Sequence, residues 1–74
     1  GLVIIYAINN NKVGLAVGVT KTLTSKFDAV KIVRVGSEII GGKGGGGRAD
    51  FAQAGGILPD KIQESFENIK KLIN

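Results

Sequence analysis

Two cations bracket a run of four glycines in the segment Gly41–Gly56, which reads GGKGGGGRADFAQAGG. Lys43 and Arg48 can neutralise phosphates, and Arg48 can do so with two parallel hydrogen bonds. Glycine permits turns in which successive N–H groups converge on an anion, so Gly42, Gly44, Gly45, Gly46 and Gly47 are candidate main-chain donors. Gln53 can offer side-chain hydrogen bonds to a base or a ribose. Eight of the sixteen residues are glycine, and each is costly to order because it loses more backbone entropy than any other residue. Main-chain approach to a folded polynucleotide is one reason to keep them; a flexible linker is the other. Arg48 could equally pair with Asp50, and Gln53 could be an ordinary exposed strand residue.

Several chemistries are excluded. The chain has no His and no Cys, so zinc sites, Ser-His-Asp triads and Cys-His pairs are out of reach. The glycines follow a helical stretch where a phosphate-binding P-loop would precede one. No Ser or Thr follows Lys43, so a Walker motif is rejected, and the same order rejects a dinucleotide fingerprint. Phe51 could stack a base or pack in the core. With three Phe and one Tyr, a stacking platform has little support in the sequence, and contact with the backbone and shape of a folded RNA suits the composition better.

The elements that must position these residues are short. Seventy-four residues with 43% hydrophobic side chains make one small domain. Residues 2–8 are apolar and β-branched. Residues 9–12 are turn formers, and residues 13–20 alternate, with Val13, Leu15, Val17 and Val19 on one face. These segments predict a hairpin. Residues 25–40 predict a helix capped at Ser25 or Asp28, with Ala29, Ile32, Val33, Gly36 and Ile40 on its packed face. Residues 59–73 predict a second helix, opened by Pro59, with the stripe Ile62, Phe66, Ile69 and Ile73. Residues 49–54 alternate weakly and suit a third, edge strand. The expected fold is α+β: a small antiparallel sheet, made of a hairpin plus a short edge strand, with two helices packed on one face.

The formal net charge of +4 and pI near 9.7 lie in the range of nucleic-acid-binding domains. The apolar start at Leu2–Ile8 is too short to span a membrane. It has no basic segment before it, as a signal peptide would. With Gly1 opening directly on that run and no initiator Met, the expectation is a fragment, residues 1–74, of a longer chain.

The segment GGKGGGGRADFAQAGG resembles the glycine-rich signature of the C-terminal domain of alanyl-tRNA synthetases, within the wider DHH-associated domain family. The ending AQAGG after a Gly run with Arg is the specific part, and the order of elements is similar over nearly the whole chain. The resemblance implies a non-catalytic module of an alanine–tRNA ligase, a cytoplasmic enzyme of protein biosynthesis. Such a domain grips the elbow of tRNA(Ala), while aminoacylation and editing sites elsewhere in the parent act on the same tRNA. It implies no cofactor in this domain, ATP and zinc in the parent, contacts with the parent's other domains, and a homo-oligomeric parent dimerised through a preceding helical segment. The alternative within the wider family is a nucleic-acid-binding accessory domain of a DHH-type phosphoesterase. There the glycines are typically followed by a His, where this chain has Arg48. The run of four glycines and Ala49 after Arg48 also depart from the common pattern of three glycines and a Pro.

Overall fold

The computed structural model describes residues 1–42 and 45–73. Alternation in the first twenty residues becomes a hairpin: β1 (Leu2–Asn9) pairs antiparallel with β2 (Lys12–Val19) through a turn at Asn10 and Asn11. Both turn residues have positive φ (52° and 65°), which Asn tolerates better than most side chains. Helix α1 spans Ala29–Ile39. Then come β3 (Gly45–Arg48), β4 (Phe51–Gly56), a 3-10 turn at Pro59–Lys61, and α2 (Ile62–Ile73).

The four strands form one antiparallel sheet in the order β1-β2-β4-β3. The α+β expectation with helices on one face holds, and two details differ from it. The strand expected at 49–54 lies at 51–56, and it is interior, paired with β2 on one side and β3 on the other. The edge is β3, built from GGGR, so half of the glycine stretch is a strand. Glycine has poor strand propensity on its own; pairing with β4 and packing under α1 override it.

Side chains of β2 and β4 that face the helices make the core. Val13, Leu15, Val17, Val19 and Ala52 are buried with Ala29, Ile32, Val33 and Ile40 from α1 and the residue after it, and with Ile69 from α2. Helix α1 starts at Asp28, not Ser25. The Asp28 carboxylate accepts the Val30 amide at 2.9 Å, which satisfies one of the orphan donors of the first turn. Residues 21–23 form a separate 3-10 turn instead. Gly41, at φ 81°, ends the helix: its amide bonds Glu38 O and that of Gly42 bonds Ser37 O at 2.7 Å. This is a Schellman closure, which needs a left-handed residue at that point.

On α2 the expected stripe is only partly buried. Ser65 and Ile69 are buried, while Phe66 is half-exposed beneath the Lys70 ammonium. Ser65 replaces Phe66 in the interior because it ties three elements together. Its hydroxyl donates to Gly36 O at 2.8 Å, so Tyr6 on β1 must be the donor in the 2.6 Å contact between the Tyr6 and Ser65 hydroxyls.

Candidate nucleic-acid interface

The helices cover one face of the sheet and leave the other open. Paired residues share a face, so three cross-strand rows can be read on the open side. Val3, Gly18, Phe51 and Arg48 form one; Ile5, Ala16, Gln53 and Gly46 the second; Ala7, Gly14 and Gly55 the third.

The candidate residues divide between two roles. Gly42 is committed to structure: its amide closes the helix end, and the Gly55 carbonyl occupies the space a side chain would need. Gly45 is pressed against Gln53 O, Ala54 and Val33, and its carbonyl accepts a long hydrogen bond (3.4 Å) from Arg34 Nε. Gly47 has φ 149° and lies against the backbone of Phe51 and Ala52. These three glycines are therefore explained by packing, a reason the sequence reading did not give. Gly46 is different. It is exposed, and among the described residues beyond its chain neighbours nothing stands within 4 Å of where its Cβ would be. Lys43 and Gly44 lie outside the described residues.

Arg48 does pair with Asp50, Nε to Oδ1 at 3.3 Å, yet its side chain remains 79% exposed. An ion pair so open to water contributes about 0–1 kcal/mol, so an incoming phosphate can displace the carboxylate. Gln53 is exposed on the open face opposite Gly46. The structure thus brings Gly46, Arg48 and Gln53 together at the β3 edge, where a strand without an outer neighbour presents unpaired N–H and C=O groups. Arg34, exposed on α1, reaches the same edge from the helix side through Gly45.

Of two further contributors to this face, the sequence reading left Phe51 open between base stacking and core packing and missed Lys12. Phe51 is 41% exposed beside Gln53 and Arg48. Its alternation with Gln53 and Gly55 was the signal that could have placed it there. Lys12, exposed at the start of β2, stands at the opposite end of the same face. It also borders a shallow groove of about 400 Å³ floored by Gly41, Gly42, Gly55 and Gly56.

A DHHA1 domain profile matches residues 1–74. The chain belongs to the DHHA1 domain family. Among its relatives, this DHHA1 domain is 49% identical over 70 residues to an alanine–tRNA ligase from Hyphomonas neptunium, covering 95% of the chain. It is 51% identical over 72 residues to one from Bradyrhizobium diazoefficiens, covering 96%. In each case the domain spans about 8% of the relative's length. Among solved structures it resembles the C-Ala domain of Aquifex aeolicus alanyl-tRNA synthetase, with a TM-score of 0.92 and 36% identity. That match takes in 97% of this chain and 64% of the other. The α+β architecture of this DHHA1 domain is thus shared with a C-Ala domain.

Proposed function

We propose that this DHHA1 domain is the C-Ala-type tRNA-binding module of an alanine–tRNA ligase. It holds the elbow of tRNA(Ala) so that aminoacylation and editing sites in other domains can use one bound tRNA. The observation that carries the reading is the exposed β3 edge, where no described residue beyond its chain neighbours comes within 4 Å of a Cβ added at Gly46, with Arg48 and Arg34 nearby on the same edge. Main-chain donors and two guanidinium groups on one edge suit phosphate oxygens, which position a nucleic acid without reading its sequence. The similarity to named alanine–tRNA ligases supports the choice of RNA. An oligomeric cytoplasmic parent belongs to the same reading.

The ATP and zinc of such a parent lie in its other domains. Among the described residues no group of three His, Cys, Asp or Glu forms, and the chain has neither His nor Cys. Among those residues no helix is long and apolar enough to cross a membrane. The phosphoesterase alternative is not favoured, since the relatives described above are ligases and Arg48 stands where that branch carries His.

The test is a salt series of gel shifts with transcribed tRNA(Ala). Arg48→Ala, Arg34→Ala and Lys43→Ala should each weaken binding and flatten the plot of log K against log salt by about one unit per lost phosphate contact. Unchanged affinity and slope in all three variants would remove the reading.

A further inference from the structure

The uncovered face of the sheet does more than frame the β3 edge. Phe51 is exposed at its centre strand, and its ring lies beside Gly18, where an added Cβ would stand 4.0 Å from Cδ1. Along β2 the outward positions are Gly14, Ala16 and Gly18, so the surface beside the ring is a trough with no side chain longer than a methyl. Gln53 projects from the next outward position of β4. Cations stand at both ends: Arg48 in the row of Phe51, and Lys12 about 20 Å away, six residues along β2 from Gly18. Among the described residues no Asp or Glu occupies an outward position of the strands, and the carboxylate that meets the end of this face is that of Asp50, 3.3 Å from Arg48. Glu38, Asp60, Glu64 and Glu67 belong to the helical layer, Asp28 caps α1, and Asp50 lies in the β3–β4 turn.

Resting on the RNA-binding reading, we propose that this face is a stacking platform for a flat nucleobase surface. A base plane lies on Phe51 over the trough, Gln53 meets its polar edge, and Arg48 and Lys12 hold the flanking phosphates. Charge complementarity selects the occupant. An exposed aromatic between two cations, on strands without outward-facing acids, suits a polyanion carrying π-surfaces. A protein helix seated on the trough would find no outward acid on the strands to pair with, and Val3 and Ile5 of β1 stand exposed along its far side. An unpaired base and the exposed plane of a base pair present the same chemistry.

The experiment uses the 74-residue chain with three probes: transcribed tRNA, a 12-nucleotide single strand and a blunt duplex. The chain contains no Trp, so Phe51→Trp places a single fluorophore on the platform. The proposal expects its emission to be quenched on binding. It also expects Phe51→Ala to weaken tRNA binding about 5- to 100-fold, the range set by base–aromatic stacking. Gly18→Val should weaken binding comparably while leaving circular dichroism and melting intact, because among the described residues beyond its chain neighbours the new Cβ meets just Phe51 Cδ1, at 4.0 Å. Quenching by the single strand assigns the ligand as an unpaired base; quenching by tRNA or duplex alone assigns it as the plane of a pair. If tRNA binds the unaltered chain, Arg48→Ala weakens it, and both Phe51→Ala and Gly18→Val bind normally, the platform is overturned and the RNA reading survives. If none of the three probes binds the unaltered chain, or sedimentation shows this face buried in a complex between protein copies, both fall.

Discussion

Adjacent glycines in β3 should respond oppositely to the same added methyl group. At Gly46 the Cβ meets nothing within 4 Å among the described residues beyond its chain neighbours, and replacing Gly by Ala at a compatible position stabilises by about 0.4–1 kcal/mol through the unfolded chain. At Gly47 two costs combine. The residue sits at φ 149°, where a side chain brings about 1–3 kcal/mol of strain. Its Cβ would also stand 2.7 Å from Ala52 Cα and against the Phe51 carbonyl. These are backbone atoms of the paired strand, so relief requires opening the β3–β4 hairpin, and overpacking of this kind costs about 1–3 kcal/mol. The sum is about 2–6 kcal/mol, against a total stability on the order of 4–11 kcal/mol for a domain of this length. At 4–8 °C per kcal/mol, Gly47→Ala should lower Tm by roughly 10–50 °C, while Gly46→Ala leaves it level or raises it slightly. Gel shifts on the same proteins separate the two roles. Gly46→Ala should keep the fold and weaken tRNA binding, because its methyl stands on the surface the polynucleotide approaches. Equal melting losses at both positions, or a neutral Gly47→Ala, would refute the division of the glycines into packing and contact residues.

The knot between β1, α1 and α2 gives two further expectations. Gly36→Ala gains about 1 kcal/mol of helix propensity, but its Cβ would stand 2.7 Å from Leu15 Cδ2, 2.8 Å from Ile69 Cδ1 and 3.1 Å from Ser65 Oγ. Leu15 and Ile69 are fully buried and cannot swing aside, so urea denaturation should show a net loss of about 1–2 kcal/mol. Burial holds the Tyr6 hydroxyl above its ordinary value of 10.0. Its contribution is therefore intact below pH 10 and is lost as pH rises through the raised folded-state value. Tyr6→Phe should lower the urea midpoint at pH 8, and the gap from the unaltered chain should shrink as pH climbs past that range.

Legibility in the sequence followed the strength of local signals. The β1–β2 hairpin was plain because four β-branched or aliphatic residues alternate with Gly and Ala, and because Asn10 and Asn11 supply positive φ at little cost. The α1 start was ambiguous since Ser25 and Asp28 are both good caps; only the 3-10 turn at Lys21–Leu23 and the chain path after it decide for Asp28. β3 was invisible because Gly45, Gly46 and Gly47 carry no side chains from which a period of two could be read. What makes them a strand is non-local: the Gln53 carbonyl, Ala52, Ala54 and Val33 come so close that only glycine fits. Phe66 was placed in the core by its spacing, yet Ser65 is the residue turned inward, where its hydroxyl bonds Tyr6 and Gly36. Of the candidate site, Arg48 and Gln53 were correctly set at the surface. Phe51 was left undecided because its neighbours across the sheet, Gly18 and Arg48, come from distant or featureless sequence.

Charge follows the same division of the fold. Helix α2 with its 3-10 lead, residues 59–73, carries three acids and three cations and is neutral. The first fifty-eight residues hold seven cations against three acids, so the whole net charge of +4 originates there. Of those three acids, Asp28 is tied to the Val30 amide and Asp50 to Arg48. Lys12 and Arg48 stand on the open face of the sheet and Arg34 beside its β3 edge, while Lys21, Lys26 and Lys31 belong to α1 and the segment before it, and a Debye length of about 8 Å lets each act only at short range. Of the groups on the open face, Arg48 carries charge and Phe51 does not. This is why removing Arg48 should alter the salt dependence of binding, whereas removing Phe51, which carries no charge, should reduce affinity at every salt concentration and leave the slope as it was.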